Sequence, residues 1–404
     1  GILTGFERLD DSNNNPLTNR PFNPNPNAYK PSNITGEPAA KYELALTDPK
    51  FKFPQIWRTN IGIDQKLPFD LVGTIDFMYN KDVNGIYYIN ANLTAPNSKY
   101  VGADTRPRWT GSNKINAKID NAIVLKNQDV GYSWNIAASI EKPLTDGLSG
   151  KIGYSYGQSK NTVDPGSIAF GSWNNNQHSS NPNNPGLSYS FYNPDHRFFA
   201  ALSYRLDYFD FGATTLSFFW DIFSGNRTSY VFAGDFNGDG GTSNDLIYVP
   251  KDASEMYFQE YKSGDVTFTV AQQQEAWNKF IEQDDYLKTR RGQYAERNGV
   301  VLPTISRIDL GISQEFYAPF LGKRNAIVFR LDILNFTNLL NKDWGVGQVL
   351  ITNQPLISQA AAADGKPVYR LRAINNKLID KSYTTSASLE DVYRLQFTIR
   401  YLFN

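Results

Sequence analysis

The chain has 404 residues, and its 40 basic and 40 acidic side chains cancel, so bulk charge gives no reason to expect a nucleic-acid partner. It contains no cysteine, which excludes disulfides, thiolate zinc sites and thiol nucleophiles. The two histidines, His178 and His196, lie far apart in sequence, which argues against a histidine cluster, and no window approaches the roughly 18–20 apolar residues of a transmembrane helix.

Aromatic residues are abundant, with 24 Tyr and 26 Phe, although the mean hydropathy of the chain is negative. Glycine, proline and asparagine cluster between the aromatic segments. One convincing helical stretch is present, so the composition favours an all-β architecture.

Alternation of apolar and polar residues predicts nine strands of about 10–13 residues. In the last segment, Leu395, Phe397 and Ile399 lie on one face, while Gln396 and Thr398 lie on the other. In chain order the predicted strands are 55–66, 69–81, 131–142, 148–160, 196–208, 211–223, 304–316, 325–337 and 393–403.

Strand length and the positions of aromatic residues favour a membrane barrel over a soluble sandwich. Strands of soluble sheets average about five or six residues, whereas membrane-spanning strands need about 9–11. Aromatic residues also crowd the ends of the apolar faces, as Phe69 and Tyr79 do, which is typical of interfacial girdles. The sequence therefore predicts an antiparallel transmembrane β-barrel in a bacterial outer membrane, in contact with its lipids.

The connections alternate between short turns and long polar stretches, the latter at about 82–130, 161–195, 224–303 and 338–390. In outer-membrane barrels the short turns are periplasmic and the long loops extracellular. The last strand then runs towards the periplasm, so we expect a periplasmic C-terminus.

The number of predicted strands is odd, and single-chain bacterial barrels have an even number. An open sheet edge in lipid leaves backbone groups unpaired, at a cost of several kcal/mol each. We therefore expect residues 1–404 to be the C-terminal part of one barrel domain, with further strands supplied by sequence outside it.

The long loop at 224–303 contains a candidate calcium site. Asp235, Asn237 and Asp239 alternate before Gly240, as in the first half of a calcium-binding loop. The match fails at its twelfth position, which is Leu246, although Asp245 lies one residue earlier. The alternatives are a weaker ion site and a cluster of turns with no ion. The predicted ligands are Asp235, Asn237, Asp239, Gly241 and Asp245.

The same loop contains the predicted helix, from an N-cap at Thr269 to about Gln283, with Val270, Ala276, Trp277, Phe280 and Ile281 on one stripe. A dense run of charged residues follows, from Asp284 to Arg297. These charges either recognise a ligand or pair with one another and fix the loop, and we favour the pairing.

Several of these stretches resemble TonB-dependent receptors. Tyr192–Phe198, Arg307–Phe316 and Phe329–Asn338, with the terminal aromatic strand, look like the last strands of that family. Residues 234–250 and 280–299 resemble, more narrowly, the Oar-like subgroup of Bacteroidetes outer-membrane proteins. The resemblance implies a 22-stranded barrel whose strands 14–22 are present here, and a plug domain and TonB box that this sequence lacks.

On this basis we expect active import of a nutrient, with peptides or glycans as candidate cargo, driven through TonB by a segment missing here. The alternative is a structural, adhesive or secretory barrel. A surface lipoprotein is a candidate partner, and no nucleic-acid partner, cofactor or enzymatic activity is expected.

Overall fold

The computed structural model describes residues 22–28, 42–320 and 323–403. In this part of the chain, nine long strands form one antiparallel sheet in sequence order. They are β1 (Ile56–Leu67), β2 (Leu71–Asp82), β3 (Tyr132–Thr145), β4 (Leu148–Asn161), β5 (Asp195–Tyr208), β6 (Gly212–Phe223), β7 (Ile305–Phe320), β8 (Lys323–Leu334) and β9 (Arg394–Leu402).

Each of the nine predicted strands coincides with one of these, and the errors lie at strand ends. The prediction placed Phe69 on the apolar face of a strand, which is wrong: Phe69 and Asp70 have φ of 63° and 57° and form the β1–β2 turn. The predicted strand 325–337 extends three residues too far. Asn335 there is left-handed, with φ 51°, and leads into a short helix.

The register of the sheet places the predicted apolar residues on one continuous face. Many of these side chains remain exposed, such as Leu395 at 61% and Phe397 at 64%. Exposed apolar side chains on both edge and central strands fit a surface that faces lipid. One row across five strands consists of Leu202, Phe218, Leu310, Ile333 and Leu395.

The opposite face of the sheet is polar and carries ion pairs. Arg205 contacts Glu315 at 2.8 Å, and Arg197 contacts Asp221 at 3.1 Å. The charged residues of this face include Arg58, Asp64, Asp76, Arg205, Asp207, Arg307, Asp309, Arg330, Asp332, Arg394 and Arg400.

Short turns and long connections alternate, as predicted. The β3–β4 turn is Asp146–Gly147, with φ of 52° and 79°, the left-handed pair that suits a tight hairpin. The β7–β8 turn includes residues 321 and 322, which lie outside the described residues. Because neighbouring strands are antiparallel, the long connections all lie at one end of the sheet, and the short turns and Phe403 lie at the other.

We call the four long connections, residues 83–131, 162–194, 224–304 and 335–393, the loop layer. Its helices are α1 (Ala169–Asn174), α2 (Val270–Gln283) and α3 (Phe336–Leu340), with 3-10 turns at Ala253–Glu255, Leu287–Arg290 and Leu389–Asp391. None of the helices in the described ranges is long and apolar enough to cross a membrane.

Short strands connect the segments of the loop layer. A three-stranded sheet contains Tyr42–Thr47, which precedes β1, with Gly85–Asn90 and Ile119–Gln128. A second contains Phe232–Ala233, Leu356–Ser358 and Tyr369–Leu371. The two-stranded pairs are Ser98–Lys99 with Pro107–Arg108, Arg227–Thr228 with Val300–Val301, Tyr248–Val249 with Gln293–Tyr294, Tyr261–Ser263 with Val266–Phe268, Gln348–Leu350 with Tyr383–Thr385, and Ala373–Ile374 with Lys377–Leu378. Ser188–Tyr189 adds to the edge of β4.

The hydrophobic core lies in the loop layer rather than in the large sheet. Its largest cluster draws on three of the four long connections, with Tyr100, Phe232, Trp277 and Leu371 among its members. Phe232 and Phe236 stack with ring centroids 3.7 Å apart. The long connections therefore fold as one packed layer and not as separate loops.

Helix α2 begins and ends where the sequence predicts. Thr269 is its N-cap and forms a reciprocal capping box with Gln272. Trp277, Phe280 and Ile281 are buried as expected, but Val270 is 38% exposed. Gln273 takes its place on the buried face.

The large sheet is not closed within the described residues, because β1 and β9 each lack a partner on one side. The number of strands in the complete barrel is therefore not fixed by this chain. Asn404, predicted to be periplasmic, lies outside the described residues.

Candidate functional site

The predicted calcium ligands lie in the interior of the loop layer, in a tight series of turns. Each of the first three side chains accepts a hydrogen bond from the backbone two to five residues ahead. Asp235 accepts from the amides of Gly238 at 2.7 Å and Gly240 at 2.9 Å. Asn237 and Asp239 accept from the amides of Asp239 and Gly241, at 2.9 and 2.7 Å. The alternating oxygens are thus fixed in position by the backbone.

Asp239 also contacts a histidine from another connection. Its Oδ2 lies 3.0 Å from Nε2 of His178, and both side chains are fully buried. Asn244 contacts the same histidine nitrogen at 3.1 Å through its Nδ2. Nδ1 of His178 and Oδ1 of Asn244 are buried and have no hydrogen-bond partner among the described residues.

Asp245 is paired with an arginine that the sequence analysis did not single out. Arg106 lies between Asp104 and Asp245, with Nη–O distances of 2.9 and 3.3 Å, and its side chain is fully buried. Its guanidinium also lies over the ring of Phe236, 4.8 Å from the centroid. An internal cation therefore neutralises one of the predicted calcium ligands.

Burial and neighbouring charges set the ionisation of these carboxyl groups. Burial, with the nearby Asp239 carboxylate, raises the pKa of Asp235 to about 6. Burial also raises the pKa of Asp245, although Arg106 opposes the shift. For Asp239, burial is outweighed by the His178 contact, which holds the pKa of that carboxyl below its usual range.

The structure brings the predicted calcium ligands together, but their side-chain oxygens already accept hydrogen bonds or ion-pair contacts from other protein groups. The described residues contain no group of three or more His, Cys, Asp or Glu side chains arranged to hold a metal ion. Calcium ligation by Asp235, Asn237, Asp239, Gly241 and Asp245 remains a prediction. A cavity of about 390 Å³ adjoins Asp235 and Asn237, next to Tyr100 and Arg108.

The charged run after α2 is mostly paired, as favoured from the sequence. Arg290 contacts Glu296 at 3.3 Å, and Lys288 contacts Asp285. Asp284 is buried and accepts hydrogen bonds from Tyr230 and Ser382, each at 2.6 Å. These contacts fix the segment to the rest of the loop layer.

Arg297 differs from the other charged residues of the run. It is 3% exposed, and its hydrogen bonds go to Asn161 and Asn176 rather than to a carboxylate. It lines a second cavity, of about 400 Å³, under the 162–194 connection.

Sequence reasoning missed His178, Asp104 and Arg106 as partners of the acidic turn. Arg106 and Asp245 are separated by 139 residues, and no local pattern announces such a contact. His196 lies on the lipid side of β5, where its ring stacks on Tyr156 with centroids 4.3 Å apart.

Comparison with known proteins places the chain in a family. A family model described as "Outer membrane beta barrel domain" matches residues 4–343. Comparisons with curated proteins and with solved structures give no significant match. The match covers most of the chain and supports an outer-membrane location. The chain therefore belongs to the outer membrane beta barrel domain family.

Proposed function

We propose that this chain is the C-terminal part of a TonB-dependent transporter, of the Oar-like type, that imports a solute across the outer membrane. The observation that carries the proposal is the polar inner face of the sheet. This face borders a cavity of about 580 Å³, whose lining includes the charged residues Glu141, Lys151, Asp309, Arg330 and Asp332. Such a surface suits a polar plug domain held by solvated ion pairs.

In this proposal the nine strands are the last nine of a 22-stranded barrel, with lipid on the apolar face and a periplasmic C-terminus. The plug and the TonB box belong to a segment outside this sequence. The loop layer, with its two cavities, is the surface that captures cargo or a surface lipoprotein. No catalytic step or nucleic acid is involved.

An adhesive or secretory barrel is the second candidate. It is favoured by the apolar side chains that the loop layer leaves exposed, such as Tyr192 at 81% and Ile168 at 63%. Exposed aromatic and aliphatic groups on a rigid surface are suited to contact another protein.

The test compares cells with and without the full-length protein, in backgrounds with and without TonB. Depletion of solutes from the medium is followed by mass spectrometry. Import predicts a solute whose depletion requires both the protein and TonB. A surface-adhesion or secretion phenotype that persists without TonB, with no solute dependent on the protein, would favour the second candidate.

A further inference from the structure

Within the described residues, the loop layer contains three arginines that are less than a tenth exposed. Arg106 is 1% exposed, Arg227 is 7% and Arg297 is 3%. Arg106 has two carboxylate partners and Arg227 has Asp195. Arg297 has no carboxylate within ion-pair distance among the described residues. Since buried arginines are almost always paired, Arg297 is the exception that needs an explanation.

Neutral groups hold the Arg297 guanidinium in place. Its Nη2 donates to Oδ1 of Asn161 at 2.6 Å and also to the carbonyl oxygen of that residue. Its Nη1 donates to Oδ1 of Asn176 at 2.8 Å. A guanidinium has five N–H groups, so two remain for another acceptor.

Asp164, the acid whose charge acts on Arg297, is already satisfied by other donors. The Asp164 carboxylate does not bridge to the arginine. Instead its two oxygens accept, at 2.8–2.9 Å, from Asn161, Ser190, Asn298 and the backbone amide of Phe191. Among the described residues, the charge on Arg297 therefore has no carboxylate in direct contact.

The electrostatics agree with this geometry. Burial lowers the pKa of Arg297 to about 10, and Asp164 opposes the shift only from a distance. The side chain is still charged at neutral pH. A buried charge with no counter-ion is costly, and an anion that reached it would remove that cost.

Arg297 lines the cavity of about 400 Å³, which is large enough for a small ligand. The same cavity is also lined by the Asp164 carboxylate, whose oxygens are held by the donors above, by the side-chain amides of Asn175, Asn176, Gln177 and Asn298, and by Phe191. Asn176 and Asn298 are already bonded to Arg297 and Asp164, whereas the side-chain amides of Asn175 and Gln177 can donate to a polar ligand. The exposed ring of Phe191 can pack against the apolar part of that ligand.

We propose that this cavity binds a small polar ligand through its carboxylate group, with Arg297 as the anion-binding residue. Arginine binds a carboxylate through charge-assisted N–H donors, and the N–H groups that remain on Arg297 belong to a guanidinium already held in place, so binding orders little further. The carboxylate can belong to the C-terminus of a short peptide or to a sugar acid. As a capture site for cargo, the cavity rests on the proposed import function.

Two pairs of probes test the site by titration calorimetry on the full-length protein in detergent. One pair is N-acetyl-dialanine and its C-terminal amide, and the other is glucuronate and glucose. At least one carboxylate should bind, and its neutral counterpart should bind about tenfold to a hundredfold more weakly. The carboxylate that binds identifies the source. The proposal is overturned if neither carboxylate probe binds at about 10 mM, or if the neutral probes bind as tightly as the carboxylates.

Variants separate the site from general electrostatics. R297Q should weaken carboxylate binding about tenfold or more, and R297K should lie between R297Q and the native protein. K160Q is the matched control, because Lys160 lies nearby over the ring of Tyr189 but does not line the cavity. The affinity of K160Q for the carboxylate should equal that of the native protein.

A second variant guards against a folding defect in R297Q. Asn175 is exposed and lines the cavity, so N175W should fill the cavity without removing the arginine. Carboxylate binding that survives either N175W or R297Q overturns the site. Carboxylate binding in detergent without TonB-dependent uptake would keep the site and remove the import proposal. TonB-dependent uptake without carboxylate binding would keep the import proposal and remove the site.

Discussion

At the scale of single residues, the interior of the loop layer depends on charges that neutralise one another. Arg106 contacts Asp104 and Asp245, and Asp239 contacts His178. Groups from three different connections meet here, so these contacts specify how the connections pack. Removing one member leaves its partners charged and buried.

We predict that R106M destabilises the loop layer by about 3–5 kcal/mol, because it leaves the carboxylates of Asp104 and Asp245 without a cation. The measurement is the urea concentration at which the loop layer loses resistance to protease. The control R291M removes a partly exposed arginine paired with Glu282 and should cost less than about 1 kcal/mol. Equal effects of the two variants would contradict the structural role of Arg106.

The calcium prediction has a pH dependence of known sign. Calcium binds the ionised form of Asp235, whose pKa is about 6 because of burial, so stabilisation by about 1 mM Ca²⁺ should weaken as the pH falls below about 6. Without calcium the pH dependence of stability has the opposite sign. Protonation of Asp235 then removes a buried charge, so the loop gains stability as the pH falls through that pKa.

Thermal unfolding with calcium and with chelator, over this pH range, checks both statements. D235N should abolish the calcium effect and the associated pH dependence. D364N, an exposed acid in another connection, should leave both unchanged. No difference between calcium and chelator at neutral pH would remove the metal site and leave a cluster of turns.

Local patterns predicted the acidic turn but not its partners. Asp235 and Asp239 lie within five residues, so their spacing is visible in the sequence. The contact of His178 with Asp239 is made by tertiary packing, and a histidine in a loop rich in Gly and Asn gave no sign of burial. The same holds for Arg297, which lies in a charged run whose other members pair locally.

At the scale of elements, the nine strands and α2 could be predicted because each has its own periodicity. Alternation in β9 and the capping box at Thr269 are properties of a few adjacent residues. The ends of the strands were less predictable, since Phe69 and Asn335 adopt left-handed conformations that neither residue type demands. The short strands of the loop layer were not predicted, because two or three residues carry no measurable period.

The assignment of the two faces of the sheet can be tested on β9. Phe397 lies on the apolar face and Thr398 on the polar face, near the middle of the strand. We predict that F397R costs about 2–4 kcal/mol of stability in lipid, because it places a charge in hydrocarbon.

The readout is the fraction folded in lipid vesicles, from the shift in gel mobility on heating. T398R, the matched control, should fold as well as the native protein, since its arginine faces the polar side. Greater damage from T398R would mean that the two faces are assigned the wrong way round.

At the scale of the whole molecule, a membrane-spanning sheet carries a separately packed layer of connections at one end. The sheet buries little of its own apolar surface, and the loop layer holds the core. Composition and alternation predicted the membrane-spanning sheet. They could not predict the packed loop layer, because its core is assembled from residues such as Tyr100, Phe232 and Leu371 that are far apart in sequence.

The central claim is that this sheet crosses the outer membrane with the loop layer outside the cell and the short turns in the periplasm. Residues 1–404 contain no cysteine, so single cysteines introduced in this part of the chain can report the orientation directly. We predict that a membrane-impermeant maleimide labels D265C and D364C, in the loop layer, on intact cells. D146C and D210C, in the short turns, should react only after the outer membrane is permeabilised. Labelling of the turns on intact cells, with the loop positions protected, would contradict this orientation.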